Sequence, residues 1–228
     1  MIACYTIKSE TATPIDVCRP DGWSTLRESL TQAQQNFADA RKFDGGKGQR
    51  LRLPGVSGEI ERVLFGAGAI KGDVKSAIQM GGLSNFLSGG TYIIRTLPKD
   101  WSSRQAAIGW GLGAYKFDRY LKEKRTPPVL VLSEDQNPDE VMAIVEATAL
   151  GRDLINTPAG DMGPESLHKA ASDLAIKYDA SLRETVGSEL LEKNFPMIHA
   201  VGRAAHQAPR LVEIEWGDPS HPRLAVVG

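Results

Sequence analysis

A chain of 228 residues, 41% hydrophobic and 24% charged, with a formal charge of −1, has the makeup of a folded protein with room for two domains. Near-neutral charge argues against general affinity for nucleic acid or an acidic membrane, which needs clustered cations, and no apolar run reaches the length of a membrane span. Residues 1–8 lack the basic-then-apolar pattern of a secretory signal, so a cytoplasmic location is expected. Cys4 and Cys18 are too few for a disulfide framework or a zinc site. They read as reduced thiols, or as a pair if their strands are neighbours.

In chain order, residues 2–7 and 14–18 read as short strands, and Asp21-Gly22 as a turn. Residues 23–43 are helical in pattern, with a break near Ser29-Leu30-Thr31, because Thr31 and Gln34 have the spacing of a capping box. Strands are expected at 50–53 and 61–65, the second running into Gly66-Ala67-Gly68. Short helices fit 73–80 and 83–87, and a strand fits 92–95. A long helix is expected over 101–124, opened by Ser102 or Ser103. Its small residues (Ala106, Ala107, Gly109, Gly111, Gly113, Ala114) imply close approach to another element. Thr126-Pro127-Pro128 ends it, and the apolar run 129–132 reads as a central strand. The polar stretch 133–138 marks a domain boundary, followed by a helix over 139–155 that stops at 156–160. A proline-started helix from Gly163-Pro164-Glu165 to about 178, a strand at 181–186, a short helix at 187–193, and strands at 209–216 and 222–227 complete the pattern.

No catalytic constellation survives inspection. His168, His199, His206 and His221 include no pair at the spacing that aims two ligands from one helix face. Gly66-Ala67-Gly68-Ala69-Ile70-Lys71-Gly72 places its third glycine too late for a dinucleotide loop; it reads as a tight turn, with phosphate binding through backbone amides as the alternative. There is no G-x-S-x-G elbow, and Cys4 and Cys18 have no activating neighbours in sequence. Asp135, Asp139 and Glu140 stand where a helix begins, and carboxylates are stabilising there without any chemistry. The basic segment from Lys116 to Arg125 reads as a solvated helix end.

The run from Gly111 to Tyr120 resembles the small-residue helix with trailing aromatics of M17-type leucyl aminopeptidases. Gly151-Arg152-Asp153-Leu154-Ile155-Asn156-Thr157-Pro158 is similar to that family's junction. Residues 195–203 and Ala208-Pro209-Arg210-Leu211 resemble the run preceding its metal site, and 222–228 the strand that delivers the first ligand. The resemblance covers about 101–228. It implies an N-terminal mixed α/β, macro-like domain (1–136), a linker helix (137–155), and an incomplete α/β catalytic domain (156–228). It further implies a cytoplasmic peptidase acting on peptides, a homo-oligomer of hexameric type, and two divalent ions, manganese or zinc, that polarise the carbonyl and activate water. The family's ligands, a lysine and several carboxylates, fall after Gly228. The resemblance therefore assigns no catalytic, cofactor-binding or metal-binding residue within the chain, which alone is expected to hold no metal and to be inactive. Asn156 and Pro158 read as junction geometry, and Arg203 and His206 as loop-stabilising groups. Two other roles stay open: a nucleotide-like ligand-binding or regulatory module, and a packing element of a larger assembly.

Overall fold

The computed structural model describes residues 4–69, 76–123 and 126–228. It divides into two compact units, Met1–Arg152 and Asp153–Gly228.

The first unit is built on a mixed six-stranded sheet: β1 (Tyr5–Thr6), β2 (Thr13–Cys18), β3 (Arg50–Pro54), β4 (Ile60–Gly66), β5 (Thr91–Thr96) and β6 (Val129–Val131). Their order is β1-β6-β5-β2-β4-β3. Neighbours run parallel except β3, which returns antiparallel along β4. Among the described residues the α-helices that accompany the sheet are α1 (Trp23–Glu28), α2 (Gln32–Ala40), α3 (Met80–Phe86), α4 (Ser103–Ala114) and α5 (Pro138–Asn156). This is the mixed α/β architecture expected from the alternation of patterns.

Period-two alternation sends successive side chains to opposite faces. On one face Val17, Val63 and Phe65 join Met80, Leu83 and Trp110 of α3 and α4 and Val141 of α5. On the other, Leu51, Leu53 and Leu64 pack with Leu30, Ala38 and Phe43 under α1 and α2. That second helical layer serves β2, β3 and β4. Farther along the same face, Ile93 of β5 is 40% exposed.

Thr31 caps α2 as its spacing predicted: its hydroxyl accepts from the Gln34 amide at 3.3 Å while the Gln34 side chain accepts from the Thr31 amide. The small residues of α4 also do what was expected. A Cβ on Gly109 would lie 2.6 Å from the Ile78 carbonyl oxygen, and one on Gly113 only 2.0 Å from that of Gly81. A Cβ on Gly111 would meet the Tyr5 hydroxyl at 2.1 Å.

The expected helix over 101–124 is shorter than its pattern. It ends at Ala114, where Tyr115 turns to φ −55°, ψ 134°. Arg152 sets that end: its guanidinium donates to the Leu112 carbonyl at 2.8 Å and lies over the Tyr115 ring. A cation on terminal carbonyls satisfies them and suits the helix dipole. The basic segment is therefore no helix end. Residues 115–123 run irregularly, and Lys124 and Arg125 lie outside the described residues. The strand at 129–132 is interior, between β1 and β5, though not the middle of the sheet. The short helix expected at 83–87 is part of α3, and of that expected at 73–80 only 76–80 are described, a 3-10 turn leading into α3.

The second unit contains α6 (Pro164–Lys177), β7 (Ser181–Val186), α7 (Glu189–Glu192), α8 (Pro196–Gly202) and β8 (Arg210–Glu215). β7 and β8 pair antiparallel from Ser181↔Glu215 to Val186↔Arg210. The helix α8 has no counterpart among the expected elements; Pro196 sits in its first turn, where its missing amide costs nothing. The strand expected at 222–227 does not form: these residues are exposed and irregular. A strand needs a paired neighbour, and among the described residues β8 pairs with β7 alone. Ala175 and Leu190 are the buried apolar side chains among the described residues of this unit.

Candidate functional site

A concavity of about 1110 Å³ in the first unit opens at the carboxyl ends of β2 and β5. Its floor is a carboxylate placed where a parallel strand normally carries an apolar residue. Asp16 of β2 is fully buried. Arg95 Nε donates to Asp16 Oδ1 at 2.9 Å, and Arg95 Nη2 to Oδ2. Thr96 Oγ1 donates to Oδ1 at 3.0 Å, and Arg62 Nε to Oδ2. The pairing of β2 with β5 shifts register here, from Ile15↔Ile94 to Asp16↔Thr96, so Arg95 is the extra residue. That irregularity lets two consecutive residues reach one carboxylate. Burial pushes the Asp16 carboxyl up, but the hydrogen bonds from Arg95 and Arg62, the Arg62 charge and Thr96 outweigh it and hold the group below its ordinary value.

The walls come from the turn after β2, from α1, and from the segment after β5. Arg19 is 8% exposed and held by Asp100 and by the Gly68 carbonyl, the latter at 2.8 Å. Leu26, Leu97 and Pro98 supply apolar wall, and Lys99 stands exposed beside them. Sequence reading passed over this group. An aspartate inside a strand flanked by hydrophobic residues was its one local signal, and the arginines lie 46 and 79 residues away.

The residues weighed from sequence fall elsewhere. The amides of Gly66, Ala67 and Gly68 donate to the carbonyls of Gln49, Cys18 and Gly45 at 2.8–2.9 Å, so these donors are engaged by distant segments, and the stretch leaves β4 without forming the expected tight turn. Ile70, Lys71 and Gly72 of the same run lie outside the described residues. Cys4 and Cys18 are buried and free, and β6 and β5 separate β1 from β2, so the two do not pair. Burial pushes both thiols up to about 12, with nearby aspartates adding to it at Cys18. Asp135 accepts from Ser103 at 2.9 Å, with Ser133 first and Ser103 second in holding its carboxyl low; Glu140 pairs with Arg104.

In the second unit, the Pro158 carbonyl accepts from the amides of Asp161 and Met162, and Thr157 bonds back to Asp153. Asn156 is the last residue of α5. His168 lies 3.5 Å from Glu184, His199 is on α8, and His206, His221 and Arg203 are exposed. Among the described residues there is no group of three or more His, Cys, Asp or Glu placed to hold a metal ion. The residues described thus do not fit a catalytic metal pair. Nor is any helix among them long and apolar enough to cross a membrane.

A mixed parallel sheet with a β3 return, followed by a junction helix and a second α/β unit, defines a two-part α/β protein. Comparison with known proteins narrows this. The family model for the M17 aminopeptidase N-terminal domain matches residues 13–133, and that for the cytosol aminopeptidase family catalytic domain matches 149–228. A probable cytosol aminopeptidase of Corynebacterium efficiens is 30% identical over 212 residues, covering 86% of this chain and 42% of that protein. The crystal structure of cytosol aminopeptidase from Coxiella burnetii superposes with a TM-score of 0.82 at 31% identity, covering 96% of this chain and 47% of that one. The bottromycin maturation enzyme BotP, solved in complex with Mn, shares the fold at a TM-score of 0.73 and 23% identity, covering 92% of this chain and 46% of that one. The chain belongs to the M17 cytosol aminopeptidase family, and it spans less than half the length of these relatives.

Proposed function

We propose that this chain supplies the N-terminal domain and the opening part of the catalytic domain of a two-metal aminopeptidase that removes N-terminal residues from peptides. In this reading residues 1–136 are the N-terminal domain, 137–155 the linker helix, and 156–228 the start of the catalytic domain. The supporting observation is the pair of consecutive family matches, 13–133 and 149–228, in the order the M17 architecture requires. The exposed apolar side chains of the second unit agree with it: Ile155, Val201, Leu224 and Val226 are each at least 84% exposed, as expected of surface that further polypeptide covers.

The metal ligands and the groups that assist the reaction are assigned to polypeptide beyond Gly228, so no residue of this chain carries a catalytic or metal-binding role. Manganese or zinc is the expected pair in the whole enzyme; the manganese complex of BotP, a protein of the same fold, favours the former. The whole enzyme is placed in the cytoplasm as a homo-oligomer, hexameric by family resemblance.

The test is direct. Purified 1–228, supplied with Mn²⁺ or Zn²⁺, is expected to turn over no leucine p-nitroanilide and to retain no stoichiometric metal after gel filtration. Joined to the remaining catalytic-domain sequence of the Corynebacterium efficiens relative, it is expected to gain metal-dependent activity. Turnover that co-elutes with 1–228 would refute the placement of the ligands. A folded, metal-loaded fusion inert toward peptides would refute the aminopeptidase reading.

A further inference from the structure

We infer that the pocket over Asp16 is a binding site for a small organic oxyanion, a molecule carrying a phosphate or carboxylate group on a compact body. The site lies wholly within the first unit and does not depend on the aminopeptidase reading.

Arg95 carries the argument. A guanidinium has five N–H donors, and Asp16 takes two of them, through Nε and Nη2. The end-on edge, Nη1 with the second hydrogen of Nη2, has no partner among the described residues and can take a further oxyanion in the bidentate geometry that arginine favours. The Arg95 side chain is 46% exposed although it lines a concavity. Asp16 fixes its plane from beneath, and Arg62 and Thr96 fix Asp16. The cation is thereby pre-organised, which lowers the ordering cost of binding.

The surroundings select the sign of the ligand. Arg19, Arg62, Arg95 and Lys99 line the pocket against Asp16, Asp21 and Asp100. Asp16 and Asp100 are each engaged by arginine, and Asp21 is exposed at the rim. Lys99, on the segment after β5, adds an exposed ammonium on the same wall. Leu26, Leu97 and Pro98 offer apolar contact for the body of the ligand. A volume of about 1110 Å³ lies just above the usual range of small-molecule sites, which combine apolar wall with a few convergent polar groups. The carboxyl edge of parallel strands is also where open α/β sheets place ligands.

Calorimetry and thermal unfolding of 1–228 with ADP, inorganic pyrophosphate and citrate, each against sodium chloride of equal ionic strength, test this. Saturable binding with a rise in Tm is expected for at least one. ADP and pyrophosphate together point to a phosphate ligand, and citrate alone to a carboxylate. Lys99→Ala removes no hydrogen bond or ion pair among the described residues, and Arg95→Lys keeps a cation beside Asp16. Each is expected to weaken binding by about tenfold, the loss of one charge-assisted contact. No binding by any of the three probes overturns the proposal. So does adenosine binding as tightly as ADP, or an affinity unchanged by Lys99→Ala.

Discussion

At the scale of single residues, Asp16 is a position of low tolerance. A fully buried carboxylate is stable because its oxygens accept from Arg62, Arg95 and Thr96. Asp16→Ala leaves the buried Arg62 charge without its carboxylate, with only the neutral acceptors of Ser29 remaining, and a loss of about 3–5 kcal/mol is expected in urea unfolding. Arg95→Gln should cost less, since Arg62 and Thr96 still hold Asp16. The pH dependence has a definite sign. The folded-state value of Asp16 lies below its ordinary one, so its stabilisation is complete above the ordinary carboxylate range and is lost as pH falls through the folded value. The urea midpoint of the native chain should therefore fall below about pH 4 with a steeper slope than that of Asp16→Asn. Equal slopes for the two proteins would refute this account.

Among the elements, α4 and α5 give opposite expectations for the same substitution. Gly113 of α4 has the Gly81 backbone where a Cβ would stand, and backbone cannot swing aside as a side-chain tip can. Gly113→Ala is expected to destabilise by about 1–3 kcal/mol, in the range of overpacked cores, and to lower Tm. Gly151 of α5 has nothing within 4 Å of its Cβ position. Gly151→Ala is expected to stabilise by about 0.4–1 kcal/mol, chiefly by restricting the unfolded chain. Thermal melts of the two variants beside the native chain decide the matter: a rise in Tm for Gly113→Ala would show that the α3–α4 contact is not tight, and a fall for Gly151→Ala would refute the expectation for α5. The small-residue run was thus legible in sequence as a contact. Its partner was not, because α3 is weakly patterned and glycine-rich. The length of α4 was misread for a similar reason: Arg152, which caps its end, is 40 residues from Leu112.

For the molecule as a whole, the contrast between the two units governs behaviour. The first encloses two apolar layers around its sheet. The second buries Ala175 and Leu190 while Ile176, Met197, Val201 and Trp216 are each at least 74% exposed. Such a surface drives association in water. Light scattering after gel filtration should show mass rising with concentration for 1–228, and Met197→Ser combined with Val201→Ser should reduce it. A strictly monomeric species at every concentration would contradict this.

The sequence by itself determined the alternation of strands and helices, the break and cap before α2, the close-packed face of α4 and, through the motifs after residue 101, the family. These are local or periodic features, and both 2.0- and 3.6-residue periods are written directly in residue order. Only the tertiary structure decided that β3 returns antiparallel, that 222–227 pairs with no strand among the described residues, and that Asp16 meets Arg62 and Arg95 beneath an open pocket. Those outcomes depend on which distant segments become neighbours. A buried charge in particular takes its meaning from cations brought beside it by the sheet, which no spacing along the chain records.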